Sequence, residues 1–276
     1  MDNVQQLIHT ALEEDMAFQD ITGLACIAVH AKGTAKLVAK ATGVLSGCDV
    51  SAACFQSRDA SLSKKWFKHD GDTVQAGDVL AHVSGSLRSL LAAERTALNF
   101  LQHLSGIATT THAFVCCVDG TGCQIVDTRK TTPGMRQLEK QAVQHGGGVN
   151  HRMDLADAML IKENHIAACG SISDAVGACY TWDDRCFVEV ECETLAQVTE
   201  AVLVAPDMIL LDNMTVAMVK EARALVPDSI LLEASGNINL DNAKHYAATG
   251  VNRLAIGAMT HSSPVLDVSL LIVVDN

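Results

Sequence analysis

The chain has 276 residues, 49% of them apolar, and a formal net charge of −12. A mean hydropathy of +0.20 lets it bury a large core, which excludes a disordered chain and predicts two domains, or one barrel with an extension. The acidic balance argues against a broad basic face for nucleic acid. No run of about 18 apolar residues offers a membrane span, and the opening Met-Asp-Asn-Val-Gln-Gln lacks the basic and apolar regions of a signal peptide. A soluble, cytoplasmic protein without nucleic-acid or membrane partners is expected. Its ten cysteines are scattered with no CxxC pair, so they read as reduced, mostly buried thiols rather than disulfides or a zinc site.

Val4, Leu7, Ile8, Ala11 and Leu12 fall at helical spacing and predict an amphipathic helix over 3–14. Residues 33–45 alternate and read as an exposed sheet. The stretch from His69 to Val83 resembles the turn-and-strand pattern of biotinyl and lipoyl modules but offers no attachment lysine, so a glycine-turned hairpin in a small α/β domain is expected. Leu87, Leu90, Leu91, Leu98, Leu101 and Leu104 form one helical stripe over 86–104, in which spacing alone makes Glu94 and Arg95 a solvated pair.

From residue 123 the texture changes. Short apolar runs at 124–126, 158–161, 186–188, 208–211, 230–232 and 253–256 alternate with helical segments, which predicts βα units and parallel pairing. Polar groups follow or end these runs: Asp127 to Lys130, Lys162, Glu189 and Glu191, Asp212-Asn213, Glu233, Ser235-Gly236-Asn237 and Gly257. In a (β/α) barrel the C-terminal strand ends converge on one mouth, so polar groups repeated at those ends favour a barrel over a doubly wound sheet, which would gather them at one switch point.

Between Asp127 and Lys162 the chain carries six Lys or Arg against four Asp or Glu, a cationic island suited to a small, highly anionic ligand. Arg129, Lys130, His151, Arg152 and Lys162 offer charge-assisted donors. Glu191 and Asp212 are hard oxygen ligands suited to Mg²⁺. Ser235-Gly236-Asn237 and Gly257-Ala258 allow backbone N–H groups to approach a phosphate at the last strands. Simpler readings stand beside these: Asp212 and His261 as helix-cap residues, Gly146-Gly147-Gly148 as a helix C-cap and turn, and His103, His112 and His145 as ordinary helix histidines.

Asp-Thr-Arg-Lys-Thr-Thr-Pro-Gly (127–134), Leu-Glu-Lys (138–140), Gly-Gly-Gly-Val-Asn-His-Arg (146–152), Leu-Ile-Lys-Glu-Asn-His-Ile (160–166), Val-Glu-Val-Glu (188–191), Leu-Leu-Asp-Asn-Met (210–214) and Leu-Glu-Ala-Ser-Gly-Asn-Ile (232–238) stand in order. With Ala-Leu-Glu-Glu-Asp (11–15), Asp-Ile-Thr (20–22), Ala-Glu-Arg-Thr-Ala-Leu-Asn (93–99), Thr-His-Ser (260–262) and Leu266-Asp267, the set resembles the quinolinate phosphoribosyltransferase family. The resemblance implies phosphoribosyl transfer from phosphoribosyl pyrophosphate to quinolinate, with Mg²⁺, in a homodimer. The fold expected is an incomplete (β/α) barrel of about six to seven parallel strands over 105–264, with an N-terminal α+β open sandwich over 1–104 to which residues 265–276 return.

The resemblance also implies residue roles. Arg129, His151, Arg152 and Lys162 would clamp the quinolinate carboxylates, with Arg95 reaching in from a second subunit. Lys130, with Thr128 beside it, would face the phosphoribosyl donor. Glu191 and Asp212 would hold Mg²⁺ and ribose hydroxyls, and the loops Ser235-Gly236-Asn237 and Ile256-Gly257-Ala258, with His261, the 5′-phosphate. Lys130, Lys162, Glu191 and Asp212 form the implied catalytic set. Met153-Asp154, Glu163 and Asn237 depart from the family's commoner residues; a second glycine is usual at the last, so the loop there should be less permissive. Two other readings are a related barrel phosphoribosyltransferase of molybdenum-transport type and a Schiff-base aldolase using Lys162.

Overall fold

The computed structural model describes residues 3–274, and the chain divides into two compact units. The first runs to His112 and includes Thr132–Gly147 and the chain from Ser262 on; the second comprises Ala113–Thr131 and Gly148–His261. The segment Thr132–Gly147 thus belongs to the first unit, although it lies within the 105–264 span assigned to the barrel from sequence.

In the first unit come α1 (Asn3–Glu14), α2 (Ile21–Cys26), β1 (Lys32–Ala39), β2 (Gly43–Val44), α3 (Cys48–Arg58), β3 (Ser63–Trp66), β4 (Thr73–Val74), β5 (Val79–Ser86) and α4 (Leu87–Cys117), whose last five residues are in the second unit. The second unit adds β6 (Gln124–Val126). The first then contributes α5 (Arg136–His145). Next in the second unit are β7 (Met159–Ile161), α6 (Glu163–Cys169), α7 (Ile172–Trp182), β8 (Val188–Cys192), α8 (Leu195–Val204), β9 (Met208–Asp212), α9 (Val216–Leu225), β10 (Leu231–Ser235), α10 (Ala243–Ala247), β11 (Arg253–Ala255) and α11 (Ala258–His261). The first unit closes with β12 (Val268–Val274).

A four-stranded antiparallel sheet of order β12-β1-β5-β3 forms the first unit's scaffold. The predicted alternation is seen in β1, where Ala35, Leu37 and Ala39 are fully buried while Lys32 is exposed. The strand is central rather than exposed, flanked by β12 and β5. The hairpin expected over 69–83 does not form. β4 pairs with β2, and β5 pairs with β1 and β3, because the Gln75–Asp78 turn, closed by Asp78 N to Gln75 O at 3.0 Å, carries the chain from one sheet to the other. β4 pairs with Gly43–Val44 and β5 with the still more distant Lys32–Val38, non-local choices that local glycine spacing does not encode.

The predicted helix over 86–104 continues to Cys117. Gly106 and the threonines at 109–111 are weak helix formers, yet Thr109 and Thr111 return their hydroxyls to Ser105 O and Ile107 O at 2.7 and 2.8 Å. The glycine is needed because the chain passes against it: a Cβ at Gly106 would lie 2.1 Å from Pro264 O. Gly106→Ala is expected to destabilise the first unit by about 2–3 kcal/mol, read as a lower denaturation midpoint at unchanged slope.

The second unit is a parallel sheet of order β6-β11-β10-β9-β8-β7. Read in a ring, this is sequential order with only the β6–β7 pair missing, which is an incomplete barrel. On the free edge of β6 a single-residue bridge, Val126 to Val149, adds the stub of a seventh strand. The strand β9 is an unbroken buried run, Met208 to Leu211, as expected of a parallel strand covered on both faces. Helices start where the sequence supplies caps: Ser171, Thr194 and Thr215 accept from Asp174 N, Gln197 N and Met218 N. The cap of α9 is therefore Thr215, not Asp212, and His261 ends α11 rather than starting a helix. Gly146 caps the C-terminus of α5. Of the ten thiols only Cys48, Cys54, Cys123 and Cys192 are buried, fewer than composition led us to expect. Among the described residues no helix is long and apolar enough to cross a membrane.

Candidate active site

The C-terminal ends of the six parallel strands surround a cavity of about 480 Å³. It collects Thr128, Arg129 and Lys130 after β6, His151 and Arg152 after the Val149 stub, Lys162 after β7, and Glu191, Asp212 and Ser235 from β8, β9 and β10, with Gly236 and Asn237 beyond. Register explains the layering: Glu191, Leu210 and Glu233 stand side by side, with Asp212 and Ser235 paired one inward step above. Gly257 adjoins the site, since a Cβ there would come 3.0 Å from Lys130 Cδ and 3.3 Å from Thr128 Oγ1, and 3.4 Å from His261. Ile256 and Ala258 flank it. Arg95 is exposed and lines a cavity of the first unit with Glu14, Asp15, Asn99 and His103.

The cations differ in how far the protein itself engages their donors. The buried Arg129 Nε makes no hydrogen bond, although buried polar atoms normally do. The Lys130 main chain is held, by its N–H to Thr128 Oγ1 at 3.1 Å and by Thr260 Oγ1 donating to its carbonyl at 2.7 Å, and that fixes the root of its side chain. Arg152 donates to Ala158 O at 3.0 Å. Burial and then the neighbouring Arg129 charge lower the Arg152 pKa, with Glu189, Asp154 and Asp157 opposing them. Two guanidiniums held close at a cavity wall make a receptor for an anion with more than one negative charge. Lys162 is ion-paired with Glu191. A Schiff-base lysine needs a desolvated amine or a cationic neighbour, not a carboxylate partner, so the aldolase reading loses its residue.

Sequence reasoning placed Glu189 and Glu233 among the strand-end groups. They sit instead within β8 and β10, 3% and 0% exposed, under His151. The His151 Nε2 lies 3.0 Å from Glu189 Oε2 and 3.5 Å from Glu233 Oε1. Its Nδ1 accepts the Arg152 backbone N–H at 2.8 Å, and its own N–H donates to Asp127 Oδ1 at 2.9 Å. Both ring nitrogens are thus engaged within the protein, where the resemblance implied a clamp on a substrate carboxylate. Burial pulls the His151 imidazole towards neutrality, but the Glu189 and Glu233 carboxylates facing Nε2 outweigh it and raise its pKa. A second hydrogen on Nδ1 would face the Arg152 N–H, so the geometry assigns the single hydrogen to Nε2, held by the carboxylates. Burial also raises the Glu233 carboxyl, against the pull of His151. A charged residue at an inward position of an otherwise apolar strand was the available signal for this layer.

On the opposite wall, Asn213 N donates to Ser235 O at 2.9 Å, Asn213 Nδ2 to Asp212 Oδ2 at 2.7 Å, and Asn237 Nδ2 to Asn213 Oδ1 at 3.2 Å. Gly236 has φ of 97° and Asn237 of 55°. Asparagine takes the left-handed region more readily than other side chains, so Asn237 accepts this loop conformation in place of the usual glycine.

Fold and site together define an α/β-barrel protein with a mouth lined by cationic side chains. Models described as quinolinate phosphoribosyl transferase, N-terminal and C-terminal domain, match residues 20–105 and 107–271. The carboxylating nicotinate-nucleotide pyrophosphorylase of Mycobacterium leprae (strain TN) is 42% identical, covering 98% of this chain and 97% of the relative. The probable enzyme of that name from Bacillus subtilis (strain 168) is 39% identical, over 99% and 94%. The solved structure of NadC from Streptococcus pyogenes superposes with a TM-score of 0.94 at 38% identity, over 99% and 97%. The chain belongs to the quinolinate phosphoribosyltransferase family.

Proposed function

We infer that this protein transfers the phosphoribosyl group of phosphoribosyl pyrophosphate to quinolinate and decarboxylates the product, giving nicotinate mononucleotide, pyrophosphate and CO₂ for de novo NAD biosynthesis. The observation that carries the reading is the cation cluster of one cavity, Arg129, Lys130, Arg152 and Lys162, with the Arg129 Nε donor unspent. Arg129, Arg152 and Lys162 bind the two carboxylates and orient the pyridine nitrogen towards C1′ of the donor. Lys130 faces the pyrophosphate, whose departing charge it stabilises more than the ground state. The loops 235–237 and 256–258, with His261 close by, seat the 5′-phosphate.

As the C1′–oxygen bond loosens, positive charge grows on the ribose. The pyridine nitrogen then attacks C1′ as pyrophosphate leaves; the resulting pyridinium stabilises the carbanion left at C2 when the 2-carboxylate departs as CO₂, and that carbon takes up a proton from water to give the product. No protein nucleophile is needed. Glu191 and Asp212 are the residues suited to Mg²⁺: both line the cavity, and among the described residues no hydrogen bond reaches Glu191 Oε1 or Asp212 Oδ1. When bound, Mg²⁺ supplies charge neutralisation for the pyrophosphate oxygens. Arg95 completes the clamp from a second copy in a homodimer, which supports its exposed position in a cavity of the first unit. That none of the ten cysteines is in a disulfide suits a reducing, cytoplasmic compartment.

The test is one assay with phosphoribosyl pyrophosphate and Mg²⁺. CO₂ release with quinolinate, no product with nicotinate, and loss of turnover on chelation that added Mg²⁺ restores are the expected results. Product from nicotinate and none from quinolinate overturns the reading.

A further inference from the structure

Glu189 and Glu233 are carboxylates buried within the barrel, and Glu189 Oε1 and both Glu233 oxygens lack a hydrogen bond of good geometry. Such groups cost stability, and apolar residues at the same strand positions would hold the barrel better. They also add negative charge close to a cavity lined by Arg129 and Arg152. Their position is explained by what they hold. Glu189 accepts from His151 Nε2, and of the carboxylates around Arg152 its charge acts most strongly on the guanidinium, against the repulsion of Arg129. Glu233 reaches the same Nε2 from β10. His151 in turn receives the Arg152 amide on Nδ1, and Asp127 receives the His151 amide. One continuous chain of contacts therefore runs from two strands through an imidazole to the backbone from which the Arg152 guanidinium projects.

We propose that Glu189 and Glu233 are positioning residues for the dicarboxylate substrate, acting through His151: by holding its hydrogen on Nε2 they keep Nδ1 as the acceptor that fixes Arg152. This rests on the quinolinate reading above. The three groups bring their ligand atoms within 4.8 Å of one another, a spacing that also suits a metal ion, but a metal would need Nε2 free of hydrogen.

The experiment compares Glu189→Leu, Glu189→Gln and Glu233→Leu with the wild type. Partners that orient the side chains holding a bound metal are worth about 10- to 100-fold in affinity or activity, and the same scale is taken for the side chain held here. The leucine variants are expected to raise KM and Kd for quinolinate by about that factor, with KM for phosphoribosyl pyrophosphate unchanged. Glu189→Gln, which keeps an oxygen acceptor, restores most of the loss. Nitrogen NMR of His151 should show hydrogen on Nε2 in the wild type and a mixture of tautomers in the leucine variants. Wild-type affinity for quinolinate in both leucine variants overturns the proposal, as does a glutamine variant no better than leucine. An equal fall in phosphoribosyl pyrophosphate binding also overturns it, because the residues then support the barrel at large. So does a metal ion found at the cluster by anomalous scattering. A wild type that neither binds nor converts quinolinate removes the functional reading itself, a separate result.

Discussion

Lys162→Ala is expected to lower kcat/KM for quinolinate by two to three orders of magnitude, about 3–4 kcal/mol of transition-state stabilisation. Two effects add. The substitution removes a charge-assisted donor from the carboxylate clamp, and it leaves Glu191, the partner of Lys162, as an unpaired carboxylate facing an anionic ligand. Lys162 stands on the last residue before α6, where its N–H donates to His165 Nδ1 at 2.9 Å, so the backbone is anchored without the side chain and the variant should fold. Steady-state kinetics at saturating phosphoribosyl pyrophosphate checks this. Turnover left intact would remove Lys162 from the active site.

Gly236→Ala should act on the other half of the pocket. With φ of 97° and a built Cβ 2.2 Å from Asn213 Oδ1 and 2.9 Å from Asn213 N, the loop has no room for a methyl group. The left-handed backbone alone costs an alanine about 1–2 kcal/mol, and the clash pushes Asn213 away from Asp212 and Asn237. KM for phosphoribosyl pyrophosphate is expected to rise by at least about 10-fold, roughly 1.4 kcal/mol, with Kd for quinolinate unchanged in titration calorimetry. Gly120→Ala is the control: its φ is also positive, at 75°, but nothing lies within 4 Å of the added carbon, so it should lose stability and leave both substrates alone.

The barrel was legible because parallel strands buried on both faces write themselves as short apolar runs, and the polar residue ending each run marks the mouth. Arg129, Lys130, Arg152, Lys162, Glu191 and Asp212 could be named from that rule and from their order along the chain. The hairpin at 69–83 was misread because the choice of partner for β4 and β5 depends on residues far upstream. Helix α4 outran its stripe because the close passage of Pro264 by Gly106 makes a poor helix former the fitting one.

By itself the sequence determined the strand-helix alternation, the cationic island and the family, since these depend on periodicity and ordered motifs. Only the tertiary structure decided which way His151 faces. A histidine beside an arginine in sequence reads as another donor for an anion. Two carboxylates from β8 and β10, brought beneath it by parallel register, face its Nε2, a contact that no spacing along the chain encodes.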